Sequence, residues 1–148
     1  MGRFHQGKYT VKNKDKYVGD ITNVVYRSGW ERKVFIMLDN NSNILKWGSE
    51  LMPVPYFSKV DQKTRRYFPD VFVKYKDKNG NIITDVIEIK PFKETQPPKK
   101  TGGKNSKKRY LEASVTYQRN QDKWESCNKW CNKQGFNFRL MTENEIFK

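Results

Sequence analysis

Histidine and cysteine are nearly missing, with one of the former and two of the latter in 148 residues. Two thiols cannot build the disulfide framework of a small secreted domain, and with His5 as the sole imidazole they cannot complete a zinc site. No apolar run approaches the ~20 residues that a membrane-spanning helix requires. The opening residues Met1–Lys8 offer no apolar segment for a signal peptide, and Gln6 stands where a myristoylation site carries Ser or Thr. Acid is in deficit too: 16 Asp and Glu face 30 Lys and Arg, a net charge of +14. These absences lead to the expectation of a small, soluble, intracellular, basic protein with no zinc and no membrane partner.

Hydrophobic residues make up only 35% of the chain, yet aromatics reach 14%. A disordered chain is poor in aromatics, so a folded core is expected. The length suits one domain over residues 1–148, with a polar N-terminal tail over about 1–25, where His5 lies. The positive excess points to a polyanionic partner, nucleic acid first. It peaks between Lys93 and Arg109, where Lys99, Lys100, Lys104, Lys107 and Lys108 also lie, against Glu94 alone. Pro97, Pro98, Gly102 and Gly103 interrupt this stretch, which reads as a mobile basic loop. It is either a solvated linker or an arm whose Lys99, Lys100, Lys104, Lys107, Lys108 and Arg109 neutralise phosphates; charge alone does not choose.

Ser28-Gly29-Trp30-Glu31 has the form of a capping box and opens a helix to about Leu38, ended by the Asp39–Asn43 turn cluster. Strands are predicted over Ile44–Glu50, Val54–Ser58, Arg66–Tyr75 and Ile82–Lys90, the last two joined as a hairpin through Asn79-Gly80. A helix over about Lys107–Gln134 follows, with Ala113, Tyr117, Asn120, Trp124, Cys127 and Cys131 on one stripe and Gly135 at its end. Phe136–Met141 reads as a last strand, and Thr142–Glu145 as a second capping box. The pattern is a mixed sheet flanked by helices.

Asp70, Glu88 and Lys90 carry the chemistry. Alternation along a strand puts Glu88 and Lys90 on one face, with Ile89 on the other. A two-residue turn at Asn79-Gly80 would set Asp70 opposite Ile89. A three-residue loop Lys78-Asn79-Gly80, with Gly80 left-handed, pairs Asp77 with Asn81 and brings Asp70 opposite Glu88. We adopt the second register. It sets two carboxylates with Cβ atoms ~5 Å apart, beside an ammonium. Such oxygen ligands, completed by water, suit Mg²⁺ or Mn²⁺, and the group suits hydrolysis of a phosphodiester. An acid and a lysine two apart are also common on exposed strand edges, but here they interrupt the apolar run Val86–Pro91, where unpaired charge is costly. Glu31 either caps its helix or joins the site. Arg65 and Arg66 suit phosphate contact or a solvated strand end equally well. Asn120 and Lys123 are expected to flank the site, and Cys127 and Cys131 to be core residues.

Phe68-Pro69-Asp70 followed by Glu88-Ile89-Lys90 resembles the signature of the PD-(D/E)XK nucleases. Tyr26–Lys33 resembles the leading helix of phage endonuclease I resolvases and of the endonuclease subunit of heteromeric transposases, whose helix acid joins the metal site. Together with Gly19-Asp20, Arg65–Asp70, Val73–Lys78 and Glu88–Pro91, these segments make most of the chain similar to the head completion family of T-even-type phages. The resemblance implies a restriction-endonuclease-like three-layer α/β/α fold around a mixed sheet of four to five strands. It implies a Mg²⁺-dependent deoxyribonuclease, with Mn²⁺ as substitute, acting on double-stranded DNA before head and tail join. Asp70, Glu88 and the Ile89 carbonyl would hold the metal, Lys90 would position or activate water, and Glu31 would ligate a second metal or orient that water. Partners would be head or portal proteins, and the setting the host cytoplasm or the virion. A non-catalytic DNA-end or portal plug and a homodimeric junction-resolving nuclease are the rival readings.

Overall fold

The computed structural model describes residues 6–148, so His5 lies outside the described residues. In chain order the elements are β1 (Gly7–Lys8), β2 (Val25–Tyr26), α1 (Gly29–Asn40), β3 (Ile44–Ser49), β4 (Val54–Ser58) and β5 (Lys63–Tyr67). They continue with β6 (Val71–Lys76), β7 (Ile82–Ile89), α2 (Ser106–Gln134), β8 (Asn137–Met141) and α3 (Glu143–Ile146). The main sheet has the order β3-β6-β7-β8; β8 runs parallel to β7 and the other pairings are antiparallel. The parallel step follows from α2, the long crossover that returns the chain to the same end of the sheet.

Alternation along β6 and β7 feeds two separate cores. Val71, Val73, Ile87 and Ile89 face α1 and pack with Val34, Phe35, Leu38 and Trp47. Val86 and Phe72 face the other way, where Trp124, Cys127 and Cys131 of α2 meet Val54, Tyr56 and Tyr67 of the β4–β5 hairpin. The three-layer arrangement and the core role of both cysteines are as expected. Slipping β7 by one residue would carry Glu88 into the apolar α1 layer and turn out side chains worth about 1.5–3 kcal/mol each. The turn locks that register. Asp77 N–H donates to Asn81 O (2.9 Å), Gly80 N–H to Asp77 O (3.1 Å), and Gly80 has φ +81°. The three-residue loop is therefore the one present.

Four expectations need correction. The N-terminal stretch is no tail from residue 6 onward: Val11 and Val24 are buried, and Tyr9 sets its ring edge against Phe35 and Trp47. Its anchors are long-range, so no local periodicity announces them. The strand predicted over Arg66–Tyr75 is two strands. β5 pairs with β4, β6 pairs with β3, and the chain changes sheets at Phe68-Pro69, where proline offers no ladder donor. The basic loop is partly ordered as helix: a 3-10 turn spans Phe92–Thr95 and α2 begins at Ser106, so Lys107, Lys108 and Arg109 ride on its first turn. Finally, Ser28 accepts the Glu31 N–H at 3.2 Å, but the Glu31 carboxylate bonds Arg27 N–H (3.0 Å) and not its cap. The reciprocal box at Thr142 and Glu145 forms as expected.

Candidate active site

The change of sheet at Pro69 leaves Asp70 at the mouth of the β6–β7 pair, one residue before the first paired position, Val71 with Ile87. Asp70 Oδ2 accepts the Ile89 N–H at 2.8 Å, which holds the side chain against the next strand on the α2 side of the sheet. Glu88 shares that face. It is only 6% exposed, and each of its oxygens has a partner: Tyr67 Oη donates to Oε1 at 2.8 Å, and Lys90 Nζ lies 3.5 Å from Oε2. The predicted trio is thus together, with the amine paired inside the site.

Asp70 and Glu88 lie at the base of a cleft of about 850 Å³ walled by Tyr56, Lys63–Phe68 and Lys123. Burial pushes the Asp70 carboxyl well above the usual carboxylate range, Glu88 pushes it further, and the Ile89 N–H and Lys90 only partly offset them. Burial also raises Glu31, with Arg27 N–H opposing and the Glu50 and Glu88 charges adding. Glu31 thus feels the charge of Glu88 weakly from the start of α1. Sequence reasoning did not single out Glu50. Its backbone is left-handed (φ 47°), its N–H donates to Asp70 O at 3.1 Å, and its carboxylate takes the Arg27 guanidinium in a fork at 3.0 Å on both arms.

No three His, Cys, Asp or Glu side chains among the described residues converge as a ready cation cage. The chemistry of the donor set nevertheless fits Mg²⁺ or Mn²⁺, which retain several waters and need only one or two carboxylates. Among the described residues Asp70 makes a single side-chain hydrogen bond while crowded by Glu88, so this negative pair lacks full compensation.

The remaining predicted residues are spread out. Arg65 and Arg66 line the cleft, although Arg65 Nε is held by Asp61 at 2.8 Å, as is Arg119 at 3.1 Å. Lys99, Lys100, Lys104, Lys107, Lys108 and Arg109 do not line it. Asn120 faces a separate hollow beside Lys93 and Pro98, as the flanking reading expected. Lys123 was expected to flank too, but it lines the cleft itself; burial pushes its ammonium down and the Glu88 charge pulls it back up. Tyr67 was missed. The chain changes sheets at Phe68-Pro69, so no alternation along a single strand links Tyr67 to Asp70.

Residues 41–143 match the model of the TnsA-like endonuclease N-terminal family, a span that contains Asp70, Glu88 and Lys90. The chain belongs to that family. It is also 42% identical over 144 residues to the head completion nuclease of Enterobacteria phage T4, covering 96% of this chain and 93% of the relative. The restriction-endonuclease-like architecture and the resemblance in its sequence are both borne out. Glu31 stands before the matched span and does not line the cleft that holds Asp70 and Glu88.

Proposed function

We propose that this protein is a divalent-metal-dependent DNA endonuclease acting in phage head completion. Family membership and the T4 relative support the nuclease activity and its setting. The observation that carries the site is the Asp70–Glu88 pair on one sheet face, Glu88 buried and Asp70 partly so, lining a cationic cleft, with Lys90 3.5 Å from Glu88. Asp70, Glu88 and the Ile89 carbonyl would hold a Mg²⁺ ion, with Glu31 at its edge; Mn²⁺ would substitute. The ion, when bound, supplies Lewis-acid polarisation of the phosphoryl oxygen and a more acidic water.

The protein groups do the rest. Tyr67 and Ile89 N–H fix the two carboxylates so that they need no reorganisation during reaction. Lys90 presents its ammonium to the attacking water and to the negative charge that grows at phosphorus. Arg65, Arg66 and the basic stretch from Lys99 to Arg109 draw duplex DNA to the cleft through its phosphates. Head or portal proteins would be its partners during assembly.

Purified protein incubated with supercoiled plasmid and Mg²⁺ tests this, beside Asp70→Ala and Lys90→Ala. Nicking by the parent and loss in both variants, with DNA binding retained, supports the assignment. Equal nicking by all three would expose a contaminant, and phage assembly unimpaired by Lys90→Ala would favour a structural plug.

A further inference from the structure

The cleft holds more positive charge than its carboxylates engage. Lys90 is committed to Glu88 and Arg65 to Asp61. Lys63 and Arg66 are exposed on the hairpin. Lys123 differs from all of these: it sits on α2, half-buried, lining the same cleft as the acids, and among the described residues its side chain forms no ion pair and donates no hydrogen bond. Its Nζ lies 5.8 Å from the centroid of the Tyr67 ring, whose hydroxyl is bound to Glu88.

We infer that Lys123 grips a phosphate oxygen of the DNA strand being cut, from the α2 side of the cleft. This rests on the nuclease reading above. A half-buried ammonium without an anion has given up hydration for little in return. The carboxylates that attract it at present would be neutralised when they bind a cation, which frees the lysine for an incoming anion. A phosphodiester brings that anion into the cleft. The bland alternative is a lysine whose stem covers the Tyr67 ring while its head reaches water, and Lys123→Met preserves that stem.

Two measurements on the full chain separate the possibilities. Binding of a labelled duplex with Ca²⁺ in place of Mg²⁺, titrated with KCl, reads phosphate contacts with the acids neutralised and cleavage suppressed. Nicking with Mg²⁺ reads KM and kcat. For Lys123→Met the slope of log K against log salt should flatten by about one. KM should rise roughly tenfold, the loss expected for one charge-assisted contact, with an unchanged melting temperature. Lys123→Arg should restore both. Lys129→Met removes the same charge from a lysine paired with Glu125 on the exposed side of α2 and should behave as the parent. A Lys123→Met protein with the parental salt slope and KM overturns the inference, as does a loss that tracks lowered stability and is not rescued by arginine. If the parent fails to nick but Lys123→Met still flattens the slope, the phosphate contact stands and the nuclease assignment falls.

Discussion

Near the end of α1, Asp39 is 0% exposed and takes three hydrogen bonds, from Tyr9 Oη (2.7 Å), Lys12 N–H (2.8 Å) and Asn13 N–H (3.0 Å). Asp70, on the other face of the sheet, takes one and meets Glu88. Burial pushes both carboxyls up. At Asp39 the donors from Tyr9, Lys12 and Asn13 outweigh it and the group ends below its usual range; at Asp70 they do not, and it ends well above. Two other buried acids are also well supplied with donors: Asp85 by Tyr75, Asn137 and Arg139, and Asp122 by Lys59 N–H and Gln118. Burial of an acid is therefore no mark of a site in this chain. The shortage of donors at Asp70, beside a second acid, is.

Asp70→Asn tests the contrast most severely. Nicking should fall by about a thousandfold, the scale of losing a principal electrostatic group, while stability in EDTA holds or rises by about 1 kcal/mol as the repulsion with Glu88 disappears. Chemical denaturation beside a plasmid assay reads both. An Asp70→Asn protein that melts early would mean that the carboxylate is structural after all. Asp39→Ala should do the reverse, costing about 3 kcal/mol by stranding buried donors, with the specific activity of the folded fraction preserved.

The same pair of acids should impose opposite pH dependences on stability without metal. Asp39 has a lowered pKa when folded. Its contribution is whole above the unfolded value of about 3.9 and is lost as pH falls through the folded value. Asp70 is raised. Its penalty is whole above its folded pKa and is relieved as pH falls from there towards the unfolded value. The stability advantage of Asp70→Asn over the parent should therefore shrink between neutral pH and about pH 4, whereas the deficit of Asp39→Asn should persist until more acid solution. Denaturation curves across that range in EDTA check both, and an Asp70→Asn advantage independent of pH would refute the assigned shift.

These contrasts also mark where sequence reasoning succeeds. The register bringing Asp70 opposite Glu88 is encoded locally, because Gly80 must be left-handed and Asp77 closes the loop on Asn81. Strand alternation then places Glu88 and Lys90 without further information. The Asp39 cluster is different. Its donors come from residues 26–30 positions away in a stretch with no periodicity, so a structured segment reads as a tail. Lys123 and Tyr67 reach the cleft only through the way α2 and the β4–β5 hairpin lean on the sheet. That docking depends on Tyr56, Trp124 and Cys127 packing across elements, which no spacing within one element predicts.

The subtlest distinction lies in Tyr67, whose hydroxyl is, among the described residues, the one side-chain hydrogen-bond donor that Glu88 has besides the Lys90 ammonium. If the hydroxyl merely satisfies a buried acid, as Tyr9 does for Asp39, then Tyr67→Phe should cost about 1 kcal/mol and leave kcat alone. The ring would stay in place, packed edge-on against Tyr56 at 6.5 Å between centroids. If the hydroxyl holds Glu88 in the orientation that binds the ion, the stability cost should be no larger, but the Mg²⁺ concentration for half-maximal nicking should rise several-fold, with kcat recovered at saturating metal. We expect the second result, since Glu88 already has Lys90 to offset its charge and needs the hydroxyl for its direction. A Mg²⁺ titration of the variant that overlays the parent's would return Tyr67 to the structural group of buried-acid partners.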